Sequence, residues 1–191
     1  PEQSIPIVLK WFKEYQFHLK ISKSRASKLG DFRPSTKDQP HRISVNGDLN
    51  KYHFLITFTH EVAHVKTWVN HGKKALPHGK EWQNDFIELL AIVTKTVDLP
   101  EDLLEVIYTH AKKPKASSCS DPTLYKALRK YDANAEEFTH LDELELGDFF
   151  TLNRGRVFKK GEKRRTRYLC IDQNSKKTYL IAAHAKVKLL K

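Results

Sequence analysis

The stretch FLITFTHEVAHVKTWVNHG, residues 54–72, sets His60, Glu61 and His64 inside an otherwise apolar run. On an α-helix, residues four apart are turned by about 400°, so the two imidazoles share a face about 6 Å apart along the axis and can reach one ion. Glu61 projects beside them, where its carboxylate can take a proton from a metal-bound water. This is the H-E-x-x-H arrangement, in which a zinc ion makes water nucleophilic near neutral pH and the glutamate serves as general base. The plainer explanation is a chance match on a core helix, but that would bury imidazoles without partners, which costs free energy.

Such an ion needs a third protein ligand and an open fourth position. Four residues downstream qualify by type: His71 at the end of the helix, His78 on the break before the next one, and Asp85 and Glu88 within that next helix. The metzincin pattern would require a histidine six residues after His64, where Asn70 stands, and a methionine turn, yet the chain has no methionine. A carboxylate from the following helix, as in thermolysin-like enzymes, stays open through Asp85 or Glu88. His78 is favoured by its setting, PHGKEW: Pro77 ends the preceding loop, Gly79 permits close backbone approach, and Trp82 anchors the next helix. His71 reads as a solvated helix end or a group behind the ligands.

The elements that must position these residues follow from periodicity. Residues 3–16 carry apolar positions at helical spacing, so a core-facing helix opens the chain. FHLKISKS, SKLGDFRP and HRISVNG alternate apolar and polar residues between Gly30, Pro34, Pro40 and Gly47, as a small meander of about three strands would. Asp48 or Asn50 can cap the helix that carries His60, which should stop near Asn70-His71-Gly72 in a left-handed ending. Trp82, Phe86, Leu89, Leu90 and Val93 predict a second long helix, and a further short helix is expected over 101–110. Beyond the polar run KKPKASSCSDP and a helical ALRKY segment, FFTLN, RVFKK, RTRYLCID, KTYLIAA and AKVKLL read as five short strands of a small barrel or curled sheet. The fold class is therefore α+β. The expected division places a first domain over 1–115 and a β-rich module over 116–191.

Composition narrows the partners. No apolar run is long enough to span a bilayer, and the N-terminal residues lack the pattern of a secretion signal. Two cysteines, Cys119 and Cys170, make no disulfide framework and have no C-x-x-C partner, so a reducing cytoplasm or nucleus is expected. Residues 1–150 hold 21 Lys and Arg against 21 Asp and Glu, whereas residues 151–191 hold 13 against 2. The whole net charge of +11 thus belongs to the C-terminal segment. A polyanion such as nucleic acid fits that end through counterion release. Arg154, Arg156, Lys159, Lys160, Lys163, Arg164, Arg165 and Arg167 cluster on one expected hairpin, turning at Lys160-Gly161-Glu162, with Phe158 and Tyr168 interleaved as stacking groups. Backbone contacts of this kind position a protein without reading bases.

HEVAH, followed by HGKEW and preceded by SKSRASKLGDFRPS and HRISVNGDLN, resembles the SprT-like (Spartan-related) metallopeptidases over about residues 5–100. The resemblance implies a small zincin-like domain holding one zinc ion on His60, His64 and His78, with Glu61 as catalytic base. It also implies a protease of proteins crosslinked to or held on DNA, single-stranded or damaged DNA as partner, and a cytoplasmic location, nucleoid-associated. Many relatives carry a zinc ribbon of paired C-x-x-C motifs; here Cys170 is followed, at the place of the second cysteine, by Gln173, and a metal-free basic β module stands instead. The rival expectation is a nucleic-acid-binding or regulatory protein whose H-E-x-x-H site is structural or vestigial.

Overall fold

The computed structural model describes residues 1–25, 28–115, 121–133, 138–152, 155–183 and 185–190. They form two compact units, Pro1–Asp132 and Ala133–Lys191, each with its own core. Both helices and sheets are present, as an α+β reading requires. No helix among the described residues is long and apolar enough to cross a membrane.

In the first unit, α1 (Ile5–Tyr15) starts with a proline in its first turn and buries Ile7, Trp11 and Tyr15, four residues apart on one face. It ends at Gln16, whose left-handed backbone (φ 47°) turns the chain directly into β1 (Phe17–Ser22). Strands β2 (Gly30–Arg33) and β3 (His41–Asn46) complete a three-stranded sheet in the order β1-β3-β2, with β1 parallel and β2 antiparallel to β3. A simple meander would have placed β2 in the middle. The inner position goes instead to β3, the strand whose Ile43 and Val45 are fully buried, and β2 is left at an edge.

The long α2 (Lys51–His71) runs through the centre of this unit and is buried on almost every side between His53 and Thr67. Asn50 caps it: the Asn50 side-chain oxygen accepts from the Tyr52 and His53 N–H groups at 3.1 and 3.0 Å. The helix closes at Gly72 with φ 59° but ψ −143°, so the ending has the expected positive φ without a left-handed helical turn. Next come α3 (Lys80–Thr96), which buries the expected Trp82, Phe86, Leu89, Leu90 and Val93, and α4 (Glu101–Ala111). The break between the units falls later than the expected 115/116 boundary, because α5 (Pro122–Arg129) completes the first core. Its Leu124 and Leu128 are buried there, and Asn50 donates from its side chain to the Leu128 carbonyl at 2.8 Å.

The second unit is an antiparallel sheet of β4 (Thr139–His140), β5 (Phe149–Thr151), β6 (Val157–Arg164), β7 (Arg167–Asp172), β8 (Thr178–Ala182) and β9 (Lys186–Leu190). The strand order is β4-β9-β5-β6-β7-β8. Its core is small: Leu141, Leu144, Phe150, Phe158, Cys170 and Val187. The five expected strands are all present, but the hairpin does not turn at Lys160-Gly161-Glu162. The register slips between Lys160 and Lys163, so a bulge interrupts β6 there, and the turn comes at Arg165-Thr166. Gly161 permits the bulge because a Cβ there would lie 2.4 Å from the Leu169 carbonyl oxygen across the ladder.

Candidate metal centre

His60 and His64 stand one turn apart on α2, and His78 reaches them from the loop before α3. The Nε2 atoms lie 3.3 Å (His60–His64), 3.2 Å (His60–His78) and 3.0 Å (His64–His78) apart. The ring centroids are farther apart, at 5.0, 5.2 and 4.6 Å, so the three rings turn their Nε2 corners toward a common point. These three are the histidine, cysteine or carboxylate group brought together at ligand distance among the described residues.

Burial of an imidazole disfavours its charged form. His60 is held neutral well below the usual histidine range, chiefly by burial and then by His64 and His78. His64 is pushed down to about 3 by burial and by His78, and His78 is lowered by burial. Three neutral imidazoles therefore face one another. A ring nitrogen offers one lone pair or one N–H along a fixed direction, so three that converge on a point cannot satisfy one another. A cation at that point can satisfy all of them. Nitrogens about 2.0–2.1 Å from a tetrahedral zinc stand about 3.4 Å apart, close to the separations here, so the residues fit that ion.

Aromatic rings set the rotamers. Trp82, fully buried at the start of α3, packs against all three imidazoles with centroid distances of 4.6, 5.2 and 4.7 Å to His60, His64 and His78. Phe32 of β2 lies parallel to His64 at 6.1 Å, and Phe86 meets His60 edge-on at 5.5 Å. His78 itself has φ 59°, a left-handed conformation that a non-glycine residue adopts at a cost of roughly 1–2 kcal/mol. Gln83 donates to its carbonyl at 3.2 Å, and the Gly79 N–H donates to the Leu76 carbonyl at 2.8 Å, fixing the turn. Strain of this sort persists where the surroundings over-determine it, commonly at functional sites.

Glu61 is buried on the same helix, with its carboxylate packed against Gly30. Burial, and secondarily Asp31, raises its carboxyl to about 8, while Arg25 and Lys28 act in the opposite sense. A dication beside it would also favour the ionised form. The other candidate ligands are used elsewhere. His71 is exposed at the end of α2. Asp85 accepts from Thr67 at 2.7 Å and lies 3.4 Å from the Lys66 Nζ, and Glu88 pairs with that ammonium at 2.6 Å.

The basic residues of the second unit separate into two groups. Lys159, Lys163, Arg164, Arg165 and Arg167 are exposed on β6, the turn and β7. Arg156 is committed within the unit: it pairs with Asp172 and lies over the rings of Phe158 and Tyr179 at 5.1 and 4.8 Å. Lys160 is buried, donating to the Leu144 carbonyl beneath the Tyr168 ring. Arg154 lies outside the described residues. Phe158 is a core residue and Tyr168 is half-buried, so neither offers an open stacking face. Phe149, which the sequence reading did not single out, is 42% exposed and pairs in register with Lys159, whose ammonium sits 5.7 Å from its ring. Strict alternation in β5, with Phe150 turned inward, was the available signal.

Comparison of the chain with protein-family models, with curated proteins and with solved structures found no match.

Proposed function

We propose that the protein is a zinc-dependent endopeptidase of SprT-like type acting on proteins held on or crosslinked to DNA. The observation that carries this reading is the convergence of the His60, His64 and His78 Nε2 atoms at 3.0–3.3 Å, with Glu61 on the same helix. The spacing of HEVAH and HGKEW, which resembles that family, supports it as well. His60, His64 and His78 would hold the zinc ion, which would supply Lewis-acid activation of water and of a carbonyl. The chain's own residues do the rest. Trp82 and Phe32 hold the ligand rings in place, and Glu61 takes the proton from the attacking water and returns it to the leaving amine. Exposed Lys159, Lys163, Arg164, Arg165 and Arg167 supply phosphate contacts that bring the enzyme to DNA.

The test is cleavage of a DNA-binding protein with and without single-stranded DNA, with elemental analysis of the same sample. Zinc near one ion per chain and DNA-stimulated cleavage are expected; Glu61→Gln should keep the zinc and abolish the cleavage. A zinc-replete wild type that cuts nothing would assign the centre a structural role in a nucleic-acid-binding protein.

A further inference from the structure

Gly30 opens β2 opposite Val45 of β3, where α2 passes close by. A Cβ on residue 30 would stand 2.3 Å from Glu61 Oε1 and 2.8 Å from both its Cγ and Cδ, distances that real Cβ atoms do not show. The backbone does not explain the glycine. Gly30 is paired in a strand and is not among the positive-φ glycines, Gly72, Gly147 and Gly155. An L-residue could adopt its conformation, and glycine within a strand is unfavourable relative to alanine. What residue 30 contributes is a missing side chain: the Glu61 carboxylate lies against bare peptide.

The strand end presenting that peptide is held by a polar clamp. Asn46, 1% exposed, donates its side-chain NH₂ to the carbonyls of Arg25 and Lys28 at 3.2 and 3.1 Å, and its backbone N–H donates to the Leu29 carbonyl at 2.8 Å. The Arg25 guanidinium returns the contact, donating to Asn46 Oδ1 at 2.8 Å and to Ser44 Oγ at 3.1 Å. Residues 25, 28 and 29 are thereby tied to β3, immediately before Gly30.

We propose that Gly30 is the positioning residue of Glu61: its bare backbone seats the carboxylate against β2, and the Arg25–Asn46 clamp keeps that seat in place. The proposal rests on the reading of Glu61 as the general base.

A double-mutant cycle on the melting temperature of the metal-free protein tests the seat without reference to activity. Gly30→Ala should lower the midpoint by about 5 °C when Glu61 is present. With Glu61→Ala it should leave the midpoint within about 1 °C or raise it, because the added methyl then enters vacated space. An equal drop in both backgrounds overturns the seat. A second arm reads the chemistry. Zinc-loaded Gly30→Ala should keep its zinc and KM and lose about 100-fold in kcat. In Glu61→Asp, one methylene shorter, the same alanine should cost at most about threefold. Wild-type kcat in Gly30→Ala would overturn the positioning role. A wild type that hydrolyses nothing would count against the peptidase reading alone, and the melting cycle would still decide whether Gly30 seats the carboxylate.

Discussion

His78 is the costliest of the three imidazoles to place, because its φ of 59° puts a residue with a Cβ in the left-handed region. Glycine occupies that region freely, so His78→Gly separates backbone strain from metal binding. We expect the metal-free variant to be as stable as the wild type or up to about 1 kcal/mol more stable in urea unfolding, while zinc no longer co-purifies at one ion per chain. A large loss of metal-free stability would show that the ring's packing on Trp82 outweighs the strain. The types and spacing of His60, Glu61, His64 and His78 were legible in the sequence. The left-handed turn at His78 and the contact of Gly30 with Glu61 were not, since both depend on how a loop and an edge strand approach α2. Asp172 carries the pH prediction at this scale. The Ser175 N–H first, then Arg156 and the Asn174 N–H, lower its carboxyl from 3.8 to about 2. A lowered carboxyl stabilises the fold in its ionised form, so the contribution is complete above the ordinary value and is lost as pH falls from about 4 to about 2. Asp172→Asn should flatten the fall in stability across that window, as read by urea unfolding or hydrogen exchange in β7. An unchanged slope would remove Asp172 from the acid response.

Between elements, the centre depends on the register of α3 against α2, because α3 carries Trp82 and begins two residues after His78. The two helices are joined by a charged cluster: buried Lys66 of α2 lies between buried Asp85 and exposed Glu88 of α3, at 3.4 and 2.6 Å, and Thr67 donates to Asp85 at 2.7 Å. Removing one partner of a buried pair leaves the other charge without compensation, usually at greater cost than the pair itself contributes. Asp85→Ala should therefore cost about 2–4 kcal/mol in urea unfolding. Lys66→Met, which fills the same space without a charge, should cost more, because it leaves the buried Asp85 carboxylate only its Thr67 bond, whereas after Asp85→Ala the Lys66 ammonium keeps Glu88 at 2.6 Å. A smaller loss for Lys66→Met would mean that volume, not charge, sets the register. The helices were readable because apolar residues recur every three or four positions. The sheet was readable as strands but not as an order: alternation marks each strand equally, whereas burial of Ile43 and Val45 decides that β3 is central. Gly161 reads as a turn from the sequence because glycine serves turns and bulges alike, and only the close approach of the Leu169 carbonyl tells them apart.

For the molecule as a whole, the division of charge is the feature that sequence carried best and structure refined most. The neutral first 150 residues and the basic last 41 differ by composition alone. The boundary of compactness is another matter: it falls between Asp132 and Ala133, because Leu124 and Leu128 of α5 complete the first core and a polar run does not by itself end a domain. Which cations are available is likewise a structural fact, since alternation places Lys159 outward and Lys160 inward within the same strand. The exposed and committed groups therefore make opposite predictions in one experiment. Each phosphate contact releases counterions and steepens the fall of log affinity with log salt by about 0.7 for single strands and about 0.9 for duplex DNA. Neutralising Lys163, Arg164 and Arg165 together should reduce the slope by about 2–3 in a fluorescence titration over a range of salt concentrations, with little change in stability. Arg156→Gln should do the reverse, because its partner is Asp172: the slope stays as in the wild type, and the unfolding midpoint of the second unit falls. If the triple variant keeps the wild-type slope, the exposed hairpin cations do not meet phosphates, and the positive charge of this end serves something other than nucleic acid.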